Sequence, residues 1–264
     1  MPDMSLGAVG AGPALAAAKQ QLRTQMKQQL KTLPQKSVAA QSAAISSSLS
    51  RLQPFVNARR VAVFLSMPAA EVQTDAIVRH ALSQGKQVFV PYLHKPGPTL
   101  QAETYVPPRV MDMVQLRDVA DYESLARDRW GIPSVDAASV EARQRILGDG
   151  ELESDLGSGS TSLTSSTSSA SSLDIILMPG VAFDVDPTTR RVHRCGHGRG
   201  FYDYFLHRYA LKMASQSQSS SPVRLYGLAL TEQVLSVGSV PTGPHDQPLD
   251  GLISGDGTVT IPEP

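Results

Sequence analysis

Short, uninterrupted apolar segments alternate with amphipathic ones along this chain, and no other feature constrains its fold as strongly. Residues 61–65, 173–178 and 223–230 read as strands that are apolar on both faces, and further strand candidates lie at 87–90, 110–116 and 249–253. Such strands are typical of a parallel sheet, because helices cover both of its faces. Helical periodicity is found at 14–33, 39–52, 74–83 and 201–213. The pattern predicts an α/β fold: a single domain whose mainly parallel sheet is flanked by helices.

Serine-rich stretches interrupt this pattern. In 154–172, 13 of 19 residues are Ser or Thr, and such a run has too little apolar surface to offset the entropy lost on ordering. We therefore expect disordered insertions at 154–172 and 214–222. The domain itself is expected to span 14–254, with a disordered extension over 1–13 and a tail over 255–264.

Charge and cysteine content exclude several classes of protein. Lys plus Arg and Asp plus Glu both number 24, so the net charge is zero, and nucleic acid is not expected as a partner because phosphate binding requires a basic excess. The single cysteine, Cys195, excludes a disulfide framework and an all-cysteine zinc site. No segment approaches the ~20 apolar residues of a membrane helix. Residues 1–18 lack the basic residues of targeting signals, so we expect a cytoplasmic protein, with mitochondria as the alternative, and no membrane partner.

The segment richest in candidate chemistry is 190–203. Gly196, Gly198 and Gly200 follow a strand and a basic loop and precede a helix, while 190–208 holds five arginines, three histidines and one acid, Asp203. Glycines let the backbone approach a ligand closely, and the helix N-terminus offers free N–H groups to an anion. An acid beside bound phosphate suggests a Mg²⁺ ligand. The spacing matches neither a Walker A loop nor the dinucleotide fingerprint, and a flexible surface turn is the alternative.

Three other segments carry weaker signals. Lys19 and Arg23 lie four residues apart on the first helix, so both point to one side and would grip a phosphate or form a solvated face. Glu71 follows the strand at 61–65, where open α/β sheets bind ligands, although it could also be a carboxylate that stabilises a helix start. Trp130, the only tryptophan, lies in a predicted loop and is either a stacking surface for a ring or a hydrophobic plug.

Taken together and in this order, these segments resemble the 5-formyltetrahydrofolate cyclo-ligase family, also called 5,10-methenyltetrahydrofolate synthetases. The resemblance covers about 16–254 outside the serine-rich stretches and rests on the motifs at 19–23, 64–74, 85–91, 111–113, 130–133, 178–184, 196–203 and 244–250. It implies a three-layer domain like those of the NagB, RpiA and CoA-transferase proteins. It also implies an ATP- and Mg²⁺-dependent reaction in which the formyl oxygen of 5-formyltetrahydrofolate is phosphorylated, N10 attacks the activated carbon, and phosphate leaves.

The resemblance further implies roles for individual residues. ATP would be held by Lys19, Arg23, Arg194, Gly196, His197, Gly198, Arg199, Gly200, Phe201 and Tyr202. Folate would be held by Met67, Glu71, Trp130 and Tyr202, catalysis would involve Arg199, Tyr202 and Asp203, and Asp203 would bind Mg²⁺. The chain departs from the family pattern at His197, usually Arg, at Phe201, usually Tyr, and in a longer turn over 186–190.

The implied substrate is a reduced folate with one or several glutamates, and the protein is expected to be a monomer. Two other classes of function stay open. One is a catalytically weak folate- or nucleotide-binding protein, against which the intact Lys19, Arg23, Arg199 and Asp203 argue. The other is an RNA-binding module on the same fold, against which the zero net charge argues.

Overall fold

The computed structural model describes residues 12–97, 106–148, 172–215, 222–244 and 246–261. Its strands are β1 (Arg60–Val63), β2 (Gln87–His94), β3 (Val110–Leu116), β4 (Ala126–Arg127), β5 (Pro133–Ser134), β6 (Ile175–Met178), β7 (Ala182–Val185), β8 (Val192–Cys195), β9 (Arg224–Ala229), β10 (Gly251–Ser254) and β11 (Val259–Thr260). Its helices are α1 (Pro13–Lys31), α2 (Gln35–Leu49), α3 (Gln53–Asn57), α4 (Asp75–Ser83), α5 (Val119–Glu123), α6 (Ala137–Val140) and α7 (Phe201–Ser215).

The central sheet has seven strands in the order β11-β10-β9-β6-β1-β2-β3. The inner five are parallel, while β3 at one edge and β11 at the other run antiparallel to their neighbours. Alternate residues of β1 enter two different cores, since Val61 and Val63 belong to one cluster and Ala62 to the other. Residues of α2 and α4 line the first cluster and residues of α7 the second. The predicted α/β domain, with a mainly parallel sheet between helices, is confirmed.

A hairpin beside the sheet is absent from the sequence interpretation. The segment before the glycines was expected to be a basic loop, but β7 and β8 pair antiparallel, with Phe183 opposite Arg194. The closely spaced arginines at 190, 191 and 194 obscure the alternation by which strands are recognised. Met26 of α1 packs against this hairpin in a small cluster with Ala182 and Cys195. The hairpin therefore fixes the start of the glycine loop and the position of α1 above it.

The expected ends of the domain and of the insertions can be compared with the structure only in part. The predicted tail contributes a strand, because Val259–Thr260 pairs with β10. Residue 13 begins α1, residues 214–215 end α7, and the rest of the expected extension and insertions lies almost wholly outside the described residues. No helix within the described ranges is long and apolar enough to cross a membrane.

Candidate functional site

A cleft of about 330 Å³ lies where β6 ends, and Pro179, the residue after that strand, forms part of its wall. All ten predicted ATP-binding residues line it, together with Asp203. Asp246, which was not among the candidate site residues, lines it as well. Residues from α1, the hairpin, the glycine loop, α7 and the segment before β10 thus meet in one place.

The glycine loop adopts a backbone that side chains would disturb. Gly198 has φ +89°, and a Cβ atom there would lie 3.1 Å from the guanidinium carbon of Arg23. Arg23 also donates a hydrogen bond from Nε to the carbonyl of Gly196, at 2.8 Å. The positive φ favours glycine at 198, and Arg23 supports the loop from α1.

Two ion pairs organise the charges of the cleft. Lys19 Nζ lies 2.6 Å from Asp246 Oδ1, and Arg194 Nη2 donates to Asp203 Oδ1 at 3.0 Å. Arg194 is buried, and its Nε has no hydrogen-bond partner within the described part of the chain. Asp203 lies in the first turn of α7, where the helix also presents free N–H groups. An incoming phosphate would therefore find cations and backbone donors together, and could draw Lys19 and Arg194 away from their carboxylates.

The carboxylates suit a magnesium ion that arrives with phosphate. No cluster of three or more His, Cys, Asp or Glu side chains that could hold a metal occurs among the described residues. Mg²⁺ is usually held by only one or two carboxylates plus phosphate oxygens and water, and Asp203 and Asp246 supply two carboxylates on the same cleft. Their own counterions, Lys19 and Arg194, would be free to contact the phosphates.

Tyr202 and Cys195 differ in what they offer the cleft. The Tyr202 hydroxyl is buried without a hydrogen-bond partner in the described structure, and burial raises the pKa of this phenol. Tyr202 therefore stays protonated, and its hydroxyl can donate a hydrogen bond to a bound ligand. Burial also raises the pKa of the Cys195 thiol, which makes it a poor nucleophile.

Of the four predicted folate residues, Tyr202 lines the cleft, whereas Met67, Glu71 and Trp130 are not part of its lining. Glu71 is buried, and its Oε2 accepts a hydrogen bond from the Met67 backbone N–H at 2.8 Å. Its Oε1 lies 3.8 Å from Nε2 of His197 on the glycine loop. Trp130 is 54% exposed, and the guanidinium of Arg129 lies 4.0 Å from the centre of its ring. Glu71 thus lies between the predicted folate residues and the predicted ATP-binding loop, and Trp130 lies on the protein surface.

A backbone turn directly before Glu71 sets its direction. Ala70 has φ +62°, a left-handed conformation that costs an alanine about 1 kcal/mol and a β-branched residue more. We expect Ala70→Gly to leave the free energy of unfolding within about 1 kcal/mol of wild type. Ala70→Val should lower both that free energy and the turnover. Urea denaturation of the three proteins tests this, and equal stability of the valine variant would contradict it.

Comparisons with known proteins agree on one family. The model of the 5-formyltetrahydrofolate cyclo-ligase family matches residues 15–255. A 5-formyltetrahydrofolate cyclo-ligase of Saccharomyces cerevisiae is 31% identical over 247 residues, which are 92% of this chain and 98% of the yeast protein. A probable 5-formyltetrahydrofolate cyclo-ligase of Schizosaccharomyces pombe is 28% identical over 240 residues, 91% of this chain and 96% of that protein.

A solved structure supports the fold. The NMR structure of the Aquifex aeolicus 5,10-methenyltetrahydrofolate synthetase superposes with a TM-score of 0.58 at 20% identity, over 92% of each chain. At that identity the likeness concerns the fold alone. The family match, by contrast, covers residues 15–255, a range that includes the α1 cations, Glu71, the glycine loop and Asp246. The chain therefore belongs to the 5-formyltetrahydrofolate cyclo-ligase family.

Proposed function

We propose that this protein converts 5-formyltetrahydrofolate to 5,10-methenyltetrahydrofolate in a reaction that consumes ATP, requires Mg²⁺ and releases ADP and phosphate. The observation that carries the proposal is the cleft in which four cationic side chains and two carboxylates face the N-terminus of α7. Glu71, on the segment expected to hold folate, reaches the same loop. Family membership supports the same reaction.

The chemistry asks for positioning and charge neutralisation, which this arrangement offers. Phosphoryl transfer has little covalent work for the protein, so fixed cations and backbone N–H groups aimed at the phosphates supply most of the acceleration. Lys19, Arg194 and Arg199 would hold the phosphates. Asp203 and Asp246 would hold Mg²⁺, whose role is to neutralise charge as the γ-phosphoryl group moves to the formyl oxygen. Tyr202 would donate a hydrogen bond to an oxygen of the reacting group.

The test is the ultraviolet absorbance of the methenyl product. We expect purified protein to form it from 5-formyltetrahydrofolate only when ATP and Mg²⁺ are both present, with one ADP released per product. Omitting ATP, or chelating Mg²⁺ with EDTA, should reduce the rate to background. Equal conversion without ATP would overturn the proposed reaction.

A binding protein with little turnover is the second candidate, and the same assay separates the two. Such a protein would bind 5-formyltetrahydrofolate and ATP in equilibrium dialysis without forming product. Among substrates, we propose reduced folates with one or several glutamates, and we propose that the protein acts in the cytoplasm as a monomer.

A further inference from the structure

Ring closure leaves a proton that the enzyme must remove, and this inference rests on the proposed function. In 5-formyltetrahydrofolate N10 carries one hydrogen, and in the methenyl product it carries none. The N10–C bond forms, the C–O bond to the phosphorylated oxygen breaks, and the phosphate takes that oxygen. The N10–H bond must also break, so a base has to accept this proton and pass it on.

Among the carboxylates near the glycine loop, Glu71 is the one suited to be that base. Asp203 and Asp246 are each paired with a cation of the cleft. Glu71 has one oxygen held by the Met67 N–H and the other directed towards His197 without a hydrogen bond among the described contacts. A buried carboxylate with one oxygen fixed and one available is placed to accept a proton from a bound substrate.

Glu71 has little contact with solvent through which to release the proton. Its side chain is only 9% exposed, whereas that of His197, 3.8 Å away, is 51% exposed. A small rotation or one bridging water brings Nε2 and Oε1 into hydrogen-bond range. The two side chains together connect a buried acceptor with bulk water.

We propose that Glu71 takes the N10 proton and that His197 relays it to solvent. Neutral His197 accepts the proton from Glu71 Oε1 at Nε2, and the imidazolium then releases its Nδ1 proton to water. Glu71 returns to a carboxylate and His197 is left neutral with its proton on Nε2, so atoms and charge balance. Proton exchange of the exposed imidazole with water restores the Nδ1–H form before the next turnover. His197 is thus a positioning and relay residue, which acts on the substrate through Glu71.

The charged groups around His197 allow it to act as a proton relay, because other side chains can bind the phosphates. The cleft is lined by six other charged side chains, from α1, the hairpin, the glycine loop, α7 and the segment before β10. They are Lys19, Arg23, Arg194, Arg199, Asp203 and Asp246. The four cations among them would be sufficient to contact the phosphates without His197. An arginine at position 197 would add a fifth cation but has no acceptor atom, so it could not relay a proton.

Rapid-quench kinetics separates the relay from a phosphate contact. In a single turnover with excess ATP and Mg²⁺, we measure ADP formation and methenyl absorbance for wild type, His197→Ala and His197→Gln. We expect both variants to form ADP at a rate within threefold of wild type but methenyl product at least tenfold more slowly. Added imidazole should restore the second step in His197→Ala, because it can replace the missing acceptor in the space left by the side chain, and should have less effect on the glutamine variant.

His207→Ala provides the matched control, since His207 is an exposed histidine on α7, and both of its steps should equal wild type. If ADP formation slows as much as ring closure, or the apparent KM for ATP rises while ring closure is unaffected, His197 contacts the phosphates and the relay is wrong. If the wild type itself forms no ATP-dependent product, the proposed function fails instead, and the two failures are distinct.

Discussion

Asp203→Asn is expected to lower kcat about 10²–10³-fold at saturating Mg²⁺, while the Kd for 5-formyltetrahydrofolate changes little. The amide oxygen of asparagine can still accept from Arg194, which lies 3.0 Å from the native carboxylate, so the fold of the loop should survive. The variant would lose the negative ligand that we propose for Mg²⁺, an ion whose stabilisation of developing charge is worth several kcal/mol in metal-assisted reactions.

Glu141→Gln is the control for Asp203→Asn, because Glu141 is an exposed carboxylate that does not line the cleft. Stopped-flow absorbance gives kcat, and equilibrium dialysis gives folate affinity. A near wild-type kcat for Asp203→Asn would show that Asp203 only stabilises the start of α7 and orients Arg194.

The parallel sheet was predictable because each inner strand contains at least three consecutive buried residues. In β6 all four residues are buried, and such a run is typical of a parallel strand whose two faces are both covered by helices. The direction of the edge strands was harder to predict. β3 was expected to be extended, but its antiparallel direction depends on pairing with β2, and local pattern carries no such information. The hairpin of β7 and β8 was missed because Arg194 occupies a buried position where a strand pattern calls for an apolar residue.

The site was predictable where its residues are close in sequence. The glycines and the basic residues at 194–203 suggested an anion site, with a flexible surface turn as the alternative, and all of them line the cleft. Asp246 lies 227 positions from its partner Lys19, so only the resemblance over 244–250 could have indicated it. The approach of His197 to Glu71 likewise joins two loops distant in the chain. Long-range charge pairs are decided by the fold, and sequence spacing does not encode them.

Glu71→Gln should lower kcat for ring closure about 10²–10⁴-fold, the range that general base catalysis contributes. The glutamine amide oxygen can accept the Met67 N–H as Oε2 does now, at 2.8 Å, so the turn after Ala70 should keep its shape. The amide has no basic oxygen, however, and cannot take a proton from N10. The variant therefore removes the base without removing the hydrogen bond that holds the side chain, so its effect on catalysis can be measured separately from any effect on folate binding.

Single-turnover experiments on Glu71→Gln should show ADP forming at a rate close to wild type, with methenyl product lagging far behind. Imidazole should not rescue this variant, because the acceptor that contacts the substrate is missing and His197 lies beyond it. The double variant with His197→Ala should be no slower than Glu71→Gln alone, since both residues serve one proton path. If instead the KM for folate rises steeply and kcat falls less than about tenfold, Glu71 binds the substrate and the base is another group; additive losses in the double variant would show that His197 acts elsewhere.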